Sequence, residues 1–267
     1  MNIEKRLQEH YKEGLQYFSE SNVFGLFLQG SQNYNLDTPY SDVDTKLLII
    51  PTLHEIALNL QPISTTHVRE NNEHIDFKDI RLMIQTFRKQ NINFIECLFT
   101  PYFIINPEYI DIYKEMYDKK EEIAHYDTCY AVKSMYGQVK QKRKYLCNDS
   151  EGRHANIMRF GYDPKELHHI MRFEEFMRRY IAGESFEDCL HTKQADYLKK
   201  VKLGCYSLEE AIILADEYTN KVEKMADEYL SNHLNEEKNK EVDEFLDYIQ
   251  EKIIRRAFEK ELVGRNF

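Results

Sequence analysis

Three aspartates have the residue type and spacing to hold a metal ion together. Asp42 and Asp44 lie two residues apart at the head of an apolar run, Asp42-Val-Asp-Thr-Lys-Leu-Leu-Ile-Ile50. If that run is a strand, both carboxylates leave the same face of its sheet. Two carboxylates at such close quarters repel each other and stay jointly ionised only beside a cation. Mg²⁺ suits them, because it takes oxygen ligands and is usually held by one or two carboxylates plus substrate phosphates. A third carboxylate on a neighbouring strand would complete a two-ion site. One ion would activate an attacking hydroxyl and the other would neutralise a departing pyrophosphate. Asp76, in Glu73-His-Ile-Asp-Phe77, fits that position. Asp79 is the alternative, although capping of the helix after it already accounts for it.

An Asp-x-Asp pair by itself is most often a solvated strand end. Its setting here is more specific. Val23-Phe-Gly-Leu-Phe-Leu28 is a short continuous apolar run, as expected of a strand buried on both faces. It ends at Gln29-Gly30-Ser31, a turn able to bring backbone N–H groups against an anion. A polar stretch over residues 32–41 follows, and then the strand that opens on the aspartates.

The elements expected around these residues are a helix over 2–20, strands at 23–28 and 42–50, and a short helix over 53–60. Residues 64–72 read as a polar loop, 73–77 as a third strand, and 80–89 as a helix capped by Asp79. The apolar stretch 93–99, which contains Glu96, is ambiguous between strand and helix. From about Tyr109 the pattern turns helical, with segments at 109–124, 127–147, 163–182, 207–231 and 238–262. Asp163 before Pro164 and Ser207 before Leu-Glu-Glu are candidate N-caps. The fold class expected is α+β, with a small mixed-sheet domain over 1–115 and an all-helical domain over 116–267.

The segment Gly30-Ser31-x-x-Tyr34…Thr38-Pro39-x-Ser41-Asp42-x-Asp44 resembles the signature of the DNA polymerase β-type nucleotidyltransferases. The resemblance implies a polymerase β-like palm, in which Gly30, Ser31, Tyr34 and Ser41 bind the incoming triphosphate. It further implies that Asp42 and Asp44 are catalytic metal ligands, with a third acidic residue on a later strand, mapped to Asp76. Gly161-Tyr-Asp-Pro-Lys165-Glu-Leu-His-His169-Ile-Met-Arg172 is similar to a stretch of the predicted nucleotidyltransferases that include the RNA-ligase-associated group. Asp79-Ile-Arg…Asn91…Glu96-x-Leu98 and the Ser207-Leu-Glu-Glu helix fit the same group, which usually has a small polar residue where Pro164 stands. The likeness therefore runs through nearly the whole chain.

Lys165, His169 and Arg172 fall at i, i+4 and i+7, one face of a helix. That stripe is expected to bind the β- and γ-phosphates; without the resemblance it reads equally well as a solvated face. His168 points elsewhere and reads as structural. Lys133, Lys140, Lys142, Arg143 and Lys144, interleaved with Tyr136 and Tyr145, form a second basic cluster. It could hold an RNA end through phosphate contacts and base stacking, or be the outer face of an amphipathic helix.

Bulk composition narrows the classes. The net charge of −10 argues against a protein that coats nucleic acid. Yet residues 131–180 hold eleven Lys/Arg against six Asp/Glu, a local wall suited to a triphosphate or a short RNA end. Five scattered cysteines without a Cys-x-x-Cys pair argue for free thiols in a reducing cytoplasm. No apolar run approaches a membrane span and no leader is evident. The histidines lack zinc-site spacing, and neither a P-loop nor a Gly-x-Ser-x-Gly elbow is present.

The expected activity is transfer of a nucleoside monophosphate from an NTP to an acceptor hydroxyl, using two Mg²⁺ ions for which Mn²⁺ could substitute. The acceptor expected is an RNA 3′ end such as that of tRNA, in keeping with the RNA-repair association of the group. Nucleotidylation of a protein side chain (a toxin–antitoxin or defence-type modifier) or of a small molecule is the rival. A non-catalytic nucleotide-binding scaffold is the remaining alternative.

Overall fold

The computed structural model describes residues 2–38 and 41–264; Pro39 of the sequence signature lies outside the described residues. In chain order the elements are α1 (Ile3–Gly14), β1 (Val23–Gln29), β2 (Asp44–Ile49), α2 (Leu53–Ala57), β3 (Ser64–Val68), β4 (His74–Asp79), α3 (Ile80–Arg88), α4 (Ile92–Ile95), β5 (Phe103–Ile105), α5 (Ile110–Asp118) and α6 (Lys120–Ala124). Helices then follow as α7 (Thr128–Tyr145), α8 (His154–Phe160), α9 (Pro164–Ile181), α10 (Phe186–Leu190), α11 (Ala195–Lys202), α12 (Leu208–Asn232) and α13 (Lys240–Gly264). Short 3₁₀ turns occupy Glu20–Asn22, Ser31–Tyr34, Glu96–Leu98 and Pro107–Tyr109. The protein is thus α+β: a small mixed sheet of five strands, then helices. No described helix is long and apolar enough to cross a membrane.

Two compact units form. Among the described residues, the first comprises 2–33, 41–126 and 238–264; the second comprises 34–38 and 127–237. They do not follow a single boundary at 115. The reason lies in α13, which buries Val242, Leu246, Ile249 and Ile253 within the first unit. Ion pairs tie it there, from Arg88 of α3 to Asp243 and Asp247 at 2.6 and 2.7 Å, and from Arg256 to Asp111 of α5 at 2.6 Å.

In the first unit the sheet order is β3-β4-β2-β1-β5, antiparallel except for the parallel β2–β4 pair. On one face, α1 sets Leu7 and Tyr11 against Leu47, Ile49, Ile75 and Phe77. On the other, Phe27 meets Tyr113 of α5 and Lys46 meets Phe94 of α4. β2 therefore has both faces covered, and its burial is continuous from Thr45 to Ile49.

Two of the expected elements change. The first helix stops at Gly14 rather than reaching residue 20. Residues 64–68 form a strand, not a loop, pairing antiparallel with β4 from Ser64↔Lys78 to Val68↔His74. β3 is an edge strand whose side chains are nearly all exposed, so no apolar alternation marks it in the sequence. β5, α8, α10 and α11 are too short or too polar to have been legible as elements. The ambiguous stretch 93–99 resolves into the end of α4 and a 3₁₀ turn.

β1 and β5 approach so closely at Gly25 that a Cβ there would lie 2.7 Å from the Ile104 carbonyl oxygen. Backbone cannot yield as a side-chain tip can. Gly25→Ala is expected to lower stability by about 1–3 kcal/mol in urea denaturation, with β5 amides losing hydrogen-exchange protection first; an unchanged midpoint would contradict this packing.

Candidate functional site

The aspartates sit where the β1–β2 ladder runs out. Gln29↔Asp44 is its last pair, and Gly30 (φ 99°) then turns the chain through a left-handed conformation that favours glycine. β2 thus begins at Asp44, and Asp42 lies in the approach to the strand rather than within it. The expected two-residue strand spacing is corrected accordingly. With no ladder partner, the backbone of residues 42–43 is held by side chains: Gln32 donates to the Asp42 carbonyl, and the Val43 N–H donates to Glu73 Oε1 at 3.3 Å. The Asp44 carboxylate accepts the His74 N–H at 3.0 Å. The exposed Asp42 carboxylate has no hydrogen-bond or ion-pair partner among the described residues.

Electrostatics make this a strained pair. Burial pushes the Asp44 carboxyl above its ordinary value; the His74 N–H opposes this, and the charges of Asp42 and Asp76 add to it. A bound cation would relieve that repulsion.

Glu73 anchors the approach from below. The residue is 5% exposed, and its carboxylate accepts from Arg6, from Arg69 Nη1 at 3.1 Å and from His10 Nε2 at 2.9 Å, as well as from Val43. Burial works against ionisation of Glu73, but the Arg6 and His10 hydrogen bonds win and bring it down to about 2. His10 is itself pushed below its ordinary value by burial. A neutral ring with Nε2–H toward Glu73 leaves Nδ1 to accept the Thr45 hydroxyl at 2.9 Å. The network therefore grips the chain on both sides of Asp44.

Asp76 pairs across the parallel ladder with Lys46, so both side chains share the Asp44 face of the sheet. Asp76 Oδ1 accepts the Thr66 hydroxyl at 2.6 Å, and Oδ2 accepts Gln29 Nε2 at 3.0 Å. Lys46 Nζ donates to Gln29 Oε1 at 2.6 Å and lies 3.7 Å from Asp76 Oδ2. Burial raises the Asp76 carboxyl, but Thr66, Gln29 and the Lys46 charge together hold it below its ordinary value. Asp79, three residues on, points to the opposite face, caps α3 through the Arg81 N–H at 2.8 Å and pairs with the Arg81 guanidinium. Of the two candidates for a third carboxylate, only Asp76 shares a face with Asp44. Even so, no group of three His, Cys, Asp or Glu among the described residues is arranged to hold one metal ion. The Gly30 N–H, a candidate phosphate donor, donates to Glu96 Oε1 at 3.3 Å, and Ser31 donates to Ser41 at 3.4 Å.

Within the second unit, α9 is the central helix, capped by Asp163 and buried along most of its length. Its cations are not equivalent. Lys165 is exposed and His169 half-buried, while Arg172 is 3% exposed. The Arg172 guanidinium lies 3.7 Å from the Tyr34 ring centre, and its Nε and Nη2 have no hydrogen-bond partner among the described residues. Burial drives His169 well below its ordinary value, with the charges of His168, Lys142, Arg172 and Lys202 acting the same way. Lys202 Nζ donates to the Leu36 carbonyl at 3.1 Å. His168 bonds the Leu198 carbonyl at 3.0 Å, joining α9 to α11. On α7, Lys133, Lys140 and Lys144 are exposed along one line, whereas Arg143 is paired with Asp216 at 2.6 Å and Lys142 with Glu166 at 3.2 Å.

Sequence reasoning missed Lys46, Glu73, His10 and Lys202. Lys46 had a signal, a lysine at i+4 from Asp42 inside an otherwise apolar strand. The others depend on pairings between distant segments and had none.

No protein-family profile matches the chain, and no curated protein does. Among solved structures, it is similar over 87% of its length to 77% of a nucleotidyltransferase-like protein from Exiguobacterium sibiricum 255-15, at 13% identity and a TM-score of 0.32.

The Glu73 network makes stability depend on acid in a defined direction. A carboxyl held near 2, against an ordinary 4.5, adds stability above pH 4.5 that drains away as pH falls toward 2. Urea denaturation at pH 7 and pH 3 is expected to show a loss roughly 2 kcal/mol larger in the wild type than in Glu73→Gln. Equal losses in the two proteins would contradict the assignment.

Proposed function

We propose that this protein is a nucleotidyltransferase that transfers a nucleoside monophosphate from an NTP to an acceptor hydroxyl. The observation that carries the reading is the Asp42–Asp44 pair: an exposed carboxylate without a partner among the described residues, two residues from a carboxyl raised by burial and by its neighbours' charges. It follows a buried strand and a Gly30 turn, as in the signature it resembles.

In the reaction, the acceptor oxygen bonds to the α-phosphorus. The bond from that phosphorus to the bridging oxygen breaks, and pyrophosphate departs with the electron pair. The hydroxyl proton passes to a carboxylate of the site. Asp42 and Asp44 are the residues that would hold Mg²⁺, or Mn²⁺ in its place, and their hard, anionic oxygens fit such an ion. When bound, the metal supplies charge neutralisation at the reacting phosphates. Glu73 and His10 fix the position of the two aspartates so that little reorganisation accompanies the reaction.

Arg172 suits a phosphate group. Arg172 Nε and Nη2 are buried with no partner among the described residues, and the guanidinium lies on the Tyr34 ring, so an anion would gain charge-assisted bonds there. The favoured acceptor is an RNA 3′ end, supported by the exposed row Lys133, Lys140 and Lys144. The net charge of −10 favours the second reading, a protein side chain or small alcohol as acceptor.

Incubation with each α-labelled NTP, Mg²⁺ and either total RNA, protein or small alcohols tests the reading, the labelled product identifying the acceptor. Asp42→Asn and Asp44→Asn are expected to reduce transfer to roughly one-thousandth, and unchanged transfer would sink the proposal. Arg172→Ala is expected to raise the KM for NTP about tenfold to a hundredfold, as loss of a charge-assisted contact does. A normal KM would remove Arg172 from the nucleotide site.

A further inference from the structure

Lys46 is an unusual residue to find in β2. It is 2% exposed, and its ammonium is enclosed by Gln29 Oε1 at 2.6 Å, Asp76 Oδ2 at 3.7 Å and the Phe94 ring at 4.3 Å from its centre. A lysine almost never sits so deep unless paired. Here the pair has a third member. The Gln29 side-chain amide accepts from Lys46 through its oxygen and donates to Asp76 through its nitrogen, so it locks the ammonium and the carboxylate in register.

We propose that Lys46 is the fixed cation of this centre, standing where a second metal ion would otherwise bind, so that the Asp42–Asp44 pair takes a single divalent ion. The inference rests on the nucleotidyltransferase reading for its purpose, though not for its geometry. Asp76 is the residue that a two-ion arrangement needs as a further ligand. Both of its oxygens already accept hydrogen bonds, from Thr66 and from Gln29. Spare lone pairs remain on each oxygen, so hydrogen bonding alone would not exclude a metal. The buried ammonium does. It cannot swing into solvent, and a divalent ion approaching Oδ2 meets its charge at close range with little water between them.

Charge arithmetic agrees. Of the three carboxylates Asp42, Asp44 and Asp76, one is neutralised by Lys46, and the two left are what one divalent ion neutralises. Lys78, also near Asp76, is directed to the Ser64 hydroxyl. Asp76 is accordingly a positioning residue that holds Lys46, rather than a metal ligand.

Mn²⁺ titration of the full-length protein, with free Mn²⁺ read by electron paramagnetic resonance, tests this without reference to turnover. The wild type is expected to bind one Mn²⁺ per chain. Asp76→Asn should still bind one ion, while Asp44→Asn should weaken binding by more than the roughly tenfold to hundredfold that loss of an outer-shell partner costs. Lys46→Arg, which keeps the charge, should still bind one ion, and Lys46→Met should gain a second ion at Asp76. If Lys46→Met fails to fold, the number of ions bound by the wild type decides alone. Two ions in the wild type, or none at all, would each overturn the proposal. Transfer of nucleotide by a protein that binds two ions would leave the nucleotidyltransferase reading standing. One bound ion without any transfer would do the reverse.

Discussion

The candidate site in the first unit depends on meeting the cost of gathering carboxylates at one end of a sheet. Asp44 and Asp76 share a face of neighbouring parallel strands, and Asp42 adds a third charge from the approach to β2. Left to themselves, such groups would take up protons or push the strands apart. Two devices keep them in place. Lys46 neutralises Asp76 from within the same strand that carries Asp44, and the Glu73 network clamps the backbone on which Asp42 and Asp44 are carried.

The two devices differ in kind. Lys46 and Gln29 act on charge, and their placement follows from β-sheet register: Lys46 is two residues along from Asp44, and Gln29 is paired with Asp44 across the ladder. Glu73, His10, Arg6 and Arg69 act on position. They draw α1, the β3–β4 connection and the start of β2 onto one buried carboxylate, where hydrogen bonds replace the ladder that ends at Gln29. A loop that would otherwise be loose is thereby fixed without a strand partner. In the second unit, Arg172 shows the opposite economy. It is buried and stacked on Tyr34, and its Nε and Nη2 have no hydrogen-bond partner among the described residues.

Much of this was legible in the sequence, for physical reasons. β1 and β2 are buried on both faces, so their apolar runs were continuous, and the Gly30 turn between them was marked by residue type. The long helices α7, α9, α12 and α13 carried helical periodicity and caps at Asp163 and Ser207. β3 was not legible, because an exposed edge strand has no buried face to imprint a pattern. The allegiance of α13 was hidden as well, since a helix does not record which neighbour its apolar stripe covers. At the site, types were readable and partners were not. Asp42, Asp44 and Asp76 stood out, whereas the meaning of Lys46 and Glu73 depends on contacts from Asp76, Gln29, Arg6 and Val43 that only the fold creates.

The central claim is that the aspartate pair supports nucleotidyl transfer rather than phosphoryl transfer or hydrolysis. An NTP carrying different labels on its α- and γ-phosphates tests it most directly. The account predicts that the α label is retained on the acceptor while the γ label leaves as pyrophosphate, one for one. A γ label found on the acceptor or released as orthophosphate, with the α label left on free nucleoside diphosphate, would contradict it.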